Sequence, residues 1–216
     1  MRTKGWFILL VFCSIPAFAQ WVPVSGSQTT TVETISANGR VTDHRETQER
    51  YHRASSGSIL IQQMANDGSN VPTSAVLLDH GKTGKTYSLN YQTGAVVDKH
   101  RPARPMPPKT RSDLPSAKNQ NSTAEETING VRCVAAPVYM VNANGTRTLI
   151  GRGWAAPDYN FLMVKQDTVR PLPDGRRIHV VRQMRNITAG VEPDATLFRL
   201  DSDSVKRARI VAPPVK

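Results

Sequence analysis

Short runs in which apolar and polar residues alternate dominate the chain, and stretches with helical spacing are scarce. In the first half this pattern predicts strands at 28–36, 41–53, 58–64, 73–79, 87–91 and 95–98. In the second half it predicts strands at 125–128, 131–141, 146–154, 161–167 and 176–186. Tight-turn pairs such as Asn38-Gly39 and Asp67-Gly68 separate them, since both residue types tolerate positive φ.

Two of these segments carry more specific predictions. Residues 41–53 are polar on both faces, so we expect an exposed edge strand there. A helix is the alternative, because Glu46 and Arg50 have i,i+4 spacing, but only Tyr51 could anchor such a helix to a core. Residues 131–141 are apolar on both faces, which predicts a central strand that is covered on both sides.

About ten to eleven antiparallel strands with little helix predict a mainly β fold. We expect a strongly curved antiparallel sheet or a half-open barrel. Residues 193–198 predict a single helical turn near the end of the domain, with Pro193 at its first position.

The N-terminus has the pattern of a secretory signal peptide. Arg2 and Lys4 precede an apolar run at 6–13, and Ala17 and Ala19 are small residues at the positions that signal peptidase requires. We therefore expect residues 1–19 to be removed after Ala19 and the mature protein to be periplasmic or secreted. Lipidation at Cys13 is the alternative, although a bulky residue precedes this cysteine. No later stretch is long enough for a transmembrane helix.

The remaining chain is predicted to form a single β domain at 20–200. Five of its prolines fall between 101 and 122 and are mixed with basic residues, so we expect a long basic loop there. A flexible basic tail is expected at 201–216.

No catalytic constellation is recognisable in the sequence. The five histidines lack the spacing of a metal site, and no nucleophile elbow, phosphate-binding loop or dinucleotide fingerprint is present. Cys133 lies in an apolar run and is interpreted as a small buried residue. We therefore expect a protein that is not an enzyme and that uses no cofactor or metal.

Basic residues outnumber acidic ones by 28 to 17, and the formal net charge is +11. In the cytosol this surplus would suggest nucleic acid, but export makes anionic envelope surfaces the better partner. The candidate residues for such a surface are Arg101, Arg104, Lys109, Arg111, Arg176 and Arg177.

Several segments resemble those of uncharacterised secreted proteins of soil and acidobacterial type. They are Tyr51-His52-Arg53, Leu78-Asp79-His80-Gly81, Tyr87-Ser88-Leu89-Asn90, Gly153-Trp154-Ala155-Ala156-Pro157-Asp158 and Glu192-Pro193-Asp194-Ala195-Thr196-Leu197-Phe198. That group is in turn similar to the lipoprotein-carrier (LolA/LolB-like) superfamily, whose half-open barrels hold acyl chains under a lid. The resemblance implies a carrier of a lipid or lipoprotein, and it implies no catalytic residue. Those carriers begin with helices that cover the cavity, whereas the mature part of this chain is predicted to begin with strands.

These observations favour an exported protein that binds an apolar or amphiphilic ligand in the groove of a curved sheet. The candidate lining residues are Tyr87, Leu89, Tyr139, Trp154, Phe161, Met163, Ile178 and Val180. For each of them, ordinary core packing is the alternative. A second hypothesis is an interaction module that docks on anionic envelope components through its basic loop and sheet edge. The oligomeric state is left open.

Overall fold

Eleven antiparallel strands form one curved sheet that does not close into a barrel. The structure, a computed structural model, describes residues 21–102, 125–142, 145–203 and 205. The strands are β1 (Val24–Ile35), β2 (Val41–Arg53), β3 (Ile59–Met64), β4 (Pro72–Asp79), β5 (Lys85–Asn90), β6 (Ala95–Pro102), β7 (Glu125–Ile128), β8 (Val131–Val141), β9 (Arg147–Ala156), β10 (Leu162–Pro171) and β11 (Arg177–Ala189). The predicted fold class is confirmed.

Two meanders make up this sheet. β1 to β6 follow one another on one side, β7 to β11 on the other, and the pairing of β1 with β11 joins them. β6 and β7 are the two edges, so residues 103–124 connect one edge to the other. The first two residues of the predicted basic loop at 101–122, Arg101 and Pro102, belong to β6, and residues 103–122 lie outside the described residues. An edge strand tolerates proline, since one side of its backbone has no ladder partner.

The prediction that residues 41–53 form an edge strand is only partly correct. β2 lies between β1 and β3, but β3 pairs only with its last five residues, from Glu49 to Arg53. Within the described residues, 41–48 pair with β1 alone. The unequal lengths of β2 and β3 are the reason, since β3 has 6 residues against 13 in β2.

The prediction that residues 131–141 form a central, doubly covered strand is wrong. β8 is the second strand from the edge, and the short β7 pairs only with its first four residues. Its apolar side chains are buried only at the start, at Val131, Cys133 and Val134, while Tyr139 and Val141 are exposed. The apolar pattern therefore reflects an exposed apolar surface as well as a core.

The outer face of β3 to β5 is covered by the C-terminal segment. Leu60, Leu77 and Leu89 form a buried cluster with Ala75 and Tyr91 on this face. Covering side chains come from far along the chain: Leu197, Phe198, Leu200 and Val205. The predicted helical turn is present as a 3-10 turn at Ala195–Phe198, where the Asp194 carboxylate accepts from the Thr196 N–H at 2.8 Å.

Val205, expected in a flexible tail, is buried in this outer core. Its N–H donates to the Asp201 carbonyl at 3.0 Å. The first residues of the predicted tail thus belong to the domain, whereas 206–216 and the predicted signal peptide at 1–19 lie outside the described residues.

The inner face carries two further clusters. One contains Val24, Tyr51, Leu162 and Met184, from β1, β2, β10 and β11. The other contains Val131, Cys133, Trp154, Ala156 and Val164, from β8, β9 and β10. Tyr159 and Ile187 pack against both clusters, so the two form one continuous core across the junction of the meanders.

Gly151 allows β9 to bend. Its φ is +156°, and a Cβ built there would lie 2.0 Å from the backbone oxygen of Asp167 on β10. The ladder between β9 and β10 extends from Ala156 to Gly151, so the first residues of β9 separate from β10 at this glycine. The close approach of the two backbones leaves no room for a side chain.

Gly151→Ala should lower the free energy of unfolding by at least about 2 kcal/mol, because the backbone of β10 would have to move. Urea unfolding would measure the change. Gly39→Ala is the matched control, since Gly39 also has a positive φ of +86° but no atom within 4 Å of its Cβ position. The control should lose roughly 1 kcal/mol through backbone strain alone. Equal losses in the two variants would contradict the contact with β10.

Candidate ligand-binding face

A buried arginine joins the two halves of the sheet. Arg53, at the end of β2, has 0% of its surface exposed. Its Nε and Nη2 donate to the Val22 carbonyl at 3.1 and 2.9 Å, and Nη2 also donates to the Tyr159 carbonyl at 2.7 Å. The guanidinium lies 5.7 Å from the ring centroid of Trp21. One side chain thereby connects β2, the N-terminal segment and the β9–β10 connection.

Backbone hydrogen bonds hold the segment before β1 in place around this arginine. The N–H of Trp21 donates to the Ser55 carbonyl at 3.1 Å, and the N–H of Val22 donates to Asn160 Oδ1 at 2.7 Å. Asn160 has a φ of 50°, a conformation that asparagine adopts more readily than most residues. The segment is therefore fixed on both sides of the carbonyl that Arg53 binds.

No carboxylate among the described residues pairs with Arg53, and its Nη1 has no hydrogen-bond partner among them. Burial lowers the pKa of its guanidinium, with the nearby Tyr51 acting in the opposite direction. Neutral carbonyl oxygens and an aromatic ring thus provide the described polar surroundings of this charge. Such a charge is unstable unless those hydrogen bonds are kept.

An apolar row crosses the inner face of β2 to β6. Pairing places Tyr51, Ile61, Val76, Ser88 and Val97 opposite one another on successive strands, so their side chains share one face. We call this set the inner row. Val76 is 41% exposed and Val97 is 51% exposed, although both face the same side as the buried Tyr51.

The inner row has one polar and one mainly apolar flank. On one side, Gln63, Ser74 and Asn90 occupy the next paired row, and Ser74 Oγ donates to Gln63 Oε1 at 3.3 Å. On the other side, the next paired row begins with Arg53 and continues through Ile59 and Leu78. With strands about 4.8 Å apart, the path from Ile61 to Val97 is roughly 14 Å long. The face is therefore amphiphilic and elongated.

A second apolar surface lies on the β8–β9 hairpin. Tyr139 and Leu149 are directly paired, 44% and 60% exposed, and Val141 is on the same face of β8 as Tyr139. Arg147 pairs with Val141 and places a cation beside them.

The structure distributes the predicted lining residues over several places. Tyr87 and Leu89 lie on the outer face under the C-terminal segment. Trp154 lies in the cluster around Cys133, and Phe161 is buried in the β9–β10 connection. Ile178 and Val180 share one face of β11, where Val180 pairs with Val32 of β1. Tyr139 and Met163 are exposed.

The structure brings Tyr87 and Leu89 together, and likewise Ile178 and Val180, but it places these two pairs in different parts of the fold. Trp154 has a distinctive setting: the Lys165 ammonium lies 4.8 Å from its ring centroid, and its buried Nε1 has no described hydrogen-bond partner.

The predicted basic surface residues are only partly described. Arg104, Lys109 and Arg111 lie outside the described residues, and Arg101 belongs to β6. Arg176 is bound within its own turn, where its Nη2 lies 2.6 Å from Asp174 Oδ2. Arg177 is exposed at the start of β11. Attachment of these residues to an anionic surface stays a prediction.

Histidines and carboxylates alternate across four strands of the opposite face of the sheet. His44 Nδ1 lies 3.2 Å from Glu33, and His179 lies 3.3 Å from Glu33 and 3.0 Å from Asp167. Hydrogen bonds with the two histidines lower the pKa of Glu33. Partial burial opposes protonation of His179, but its hydrogen bonds to Asp167 and Glu33 raise its pKa overall.

This arrangement was missed by sequence reasoning, because the carboxylates that contact His44 and His179 are distant in sequence. Within residues 21–102, 125–142, 145–203 and 205, no three His, Cys, Asp or Glu side chains form a group that could hold a metal ion. Cys133 is buried as predicted, and burial raises the pKa of its thiol to about 11.

The sequence reasoning also missed the inner row itself. Ile59, Ile61, Val76 and Val97 alternate with the residues of the outer core, and that alternation was a usable signal for a second apolar face. Which face the C-terminal segment covers could not be predicted, since its four covering residues lie more than a hundred positions away.

Comparisons with known proteins gave matches among solved structures only. A DUF1329 family protein from Desulfovibrio piger is 15% identical, with 85% of this chain and 91% of that chain covered and a TM-score of 0.34. A LolA superfamily protein from Nitrosomonas europaea is 10% identical over 84% and 92%, with a TM-score of 0.34. An outer membrane lipoprotein-sorting protein domain from Vibrio parahaemolyticus is 10% identical over 84% and 92%, with a TM-score of 0.33.

No protein-family model matches the chain, and no curated protein matches it. The LolA superfamily, to which the sequence was predicted to be distantly similar, is represented among these neighbours, while the soil-bacterial group stays a prediction. At these TM-scores the likeness carries no conclusion about ligand or activity. Among the described residues, no helix has the length and hydropathy needed to cross a membrane.

Arg53→Met should lower the free energy of unfolding by about 3 kcal/mol, because the carbonyls of Val22 and Tyr159 would lose their buried donor. Thermal and urea unfolding would measure the loss. Arg170→Met is the control, since Arg170 is an exposed arginine on β10 and should change stability by less than about 0.5 kcal/mol. Equal stability of the two variants would show that Arg53 does not hold the halves together.

Stability should fall in mild acid because of His52. Burial lowers its pKa to about 4, its Nδ1 lies 3.0 Å from Ser25 Oγ, and a hydrogen bond with Gln62 favours the charged form only in part. The unfolded chain binds this proton near pH 6.5, so the stabilisation is complete above that pH and is lost as the pH falls towards 4.

The loss should reach roughly 3 kcal/mol. Unfolding measured at several pH values should show a flatter profile for His52→Gln than for the natural protein. His100→Gln, which changes an exposed histidine, should leave the profile unchanged. Identical profiles for the His52 variant and the natural protein would contradict the assignment.

Proposed function

We propose that the protein is an exported, non-enzymatic binder of an amphiphilic lipid, whose apolar chain lies along the inner row. The observation that carries this proposal is the exposure of Val76 and Val97 on the same face as the buried Tyr51 and the half-buried Ile61. Apolar side chains on an open sheet face lose contact with water when an apolar ligand covers them.

The shape and chemistry of the face favour an elongated amphiphile over a compact ligand. The row crosses several strands in one direction, and the amide and hydroxyl groups of Gln63, Ser74 and Asn90 accompany it on one side. These groups can bind the polar part of a ligand by hydrogen bonds while the apolar part contacts the valines. No catalytic group is required for such a role.

Export is part of the proposal and rests on the sequence of the first 19 residues. A protein that meets lipids in the envelope would take up its ligand after cleavage of this leader. Cleavage removes Arg2 and Lys4, so the remaining chain has 26 basic and 17 acidic residues, and its net charge of +9 suits an environment with anionic lipids.

Binding of the fluorescent fatty acid cis-parinaric acid tests this function. The full-length protein should bind it, and Val76→Asp or Val97→Asp should weaken binding about tenfold or more, because a carboxylate would lie against the acyl chain. Val191→Asp is the matched control, since Val191 is 62% exposed in the loop after β11 and should bind normally. Circular dichroism would confirm that the variants are folded.

A native ligand can be sought directly. Mass spectrometry of an organic extract of the protein, purified from its own host, should contain a lipid that is depleted in the Val97→Asp extract. Extracts that are free of lipid, together with no fatty-acid binding, would contradict the carrier function. Attachment to anionic vesicles in the absence of fatty-acid binding would instead support the interaction module.

A further inference from the structure

Eight residues of β2 form a strand edge without a partner in the described part of the chain. Residues 41–48 pair with β1 on one side, and β3, which pairs with residues 49–53, ends at Met64. Backbone N–H and C=O groups along such an edge can pair with another strand. The edge lies on the side of β2 to which β3 is paired further along the strand. An added strand in line with β3 would run in the same direction as β3, antiparallel to β2.

A groove lies beside this edge, at the point where β3 ends and the chain turns towards β4. It has a volume of about 640 Å³ and is lined by Glu46, Gln48, Met64, Ala65, Asn66, Gly68 and Asn70. Arg50 holds the β3–β4 turn at this place, since its Nη2 lies 3.4 Å from the Asn70 carbonyl. This groove is therefore part of the fold and is bounded by the β3–β4 turn on one side and by β2 on the other.

We propose that this edge pairs with the same edge of a second copy of the chain, so that β2 of each copy continues the sheet of the other. The charge order along the strand selects this occupant. In the antiparallel register that places His44 opposite its copy, Asp43 lies opposite Arg45 of the second copy and Arg45 lies opposite Asp43 of the second copy. Both ion pairs form at once because a two-fold axis relates them.

The groove fits the same register. Arg40 precedes β2, and the register of β2 shifts at Thr42, so the backbone bends between Asp43 and Arg40. The pairing brings Arg40 of the second copy near the groove residues Glu46 and Gln48, without fixing the face on which this cation lies. The hairpin end of each copy thus meets the β3–β4 turn of the other.

Neighbouring registers fit less well. A shift that places Arg45 opposite its own copy brings two cations together at the centre, and like charges directly opposed are destabilising. Within the described residues, no ion pair joins Asp43, Arg45 or Glu46 to another side chain, so their charges are available for a second copy. Eight paired residues make a small interface, so the association should depend on concentration.

This surface is separate from the inner row, and neither proposal depends on the other. Sedimentation velocity of the full-length protein over a range of concentrations should show a monomer that converts to a dimer. Arg45→Asp should weaken the dimer at least about tenfold, because both ion pairs become repulsive. The swapped variant Asp43→Arg/Arg45→Asp should restore it, since each arginine again faces an aspartate.

Arg147→Asp is the matched control, because Arg147 is an exposed strand arginine on the β8–β9 hairpin and should leave the dimer unchanged. A monomer at every concentration would overturn the proposal and leave the edge to a different partner. A dimer that survives Arg45→Asp, or one that the swapped variant does not restore, would overturn the pairing of this edge. Fatty-acid binding by the same variants should be unaffected.

Discussion

The guanidinium of Arg53 is the constraint on which the curvature of this sheet depends. The eleven described strands form an open sheet, which could become flatter or whose two halves could move apart. The pairing of β1 with β11 does not by itself prevent either change. Arg53 opposes both changes because it binds the carbonyls of Val22 and Tyr159, which belong to opposite halves of the chain. A buried cation that is bound to neutral carbonyls loses much of its stabilisation if either carbonyl moves away. The two halves are thereby held at one angle.

At that angle, different parts of the chain cover the two faces of the sheet. The outer face of β3 to β5 is filled by the C-terminal segment, whose Phe198 and Val205 pack on Leu77 and Leu89. Within the described residues, the inner face is filled around Val24, Tyr51 and Met184, where the halves meet, and around Cys133 and Trp154 in the second half. Towards β6 the inner face carries Val76 and Val97 with nothing from the described residues to bury them fully. The exposed apolar surface that we propose as the binding face for an amphiphile therefore begins where the core around Tyr51 ends.

Much of this fold could be predicted because strand alternation and turn residues are local signals. The bounds of β2, β7 and β8 were predicted without error, and Asn or Asp followed by Gly marked several of the turns. The order of strands was less accessible. An apolar strand such as β8 indicates a central position, yet it lies next to an edge, because its apolar face extends beyond the core to Tyr139.

The site was harder to predict than the fold, since it depends on contacts between distant residues. Leu89 was predicted to line the groove and Val97 was not, whereas the C-terminal segment covers Leu89 in the outer core and Val97 is exposed. Arg53 looked like one more charge on a polar strand. Its burial follows from Trp21 and Tyr159, which are far from it in sequence and carry no pattern that points to an arginine.

Strand length links the remaining features of the molecule. β1, β2, β10 and β11 have 10 to 13 residues, whereas β3 has 6. β2 therefore extends beyond β3, and the difference leaves residues 41–48 with no second partner among the described residues. Natural proteins commonly protect such an edge with charged residues. Here the charges have both signs in a self-complementary order, so they oppose pairing with most strands while favouring one register with an identical strand. Protection and recognition can thus come from the same side chains, because repulsion and attraction depend only on which residue lies opposite.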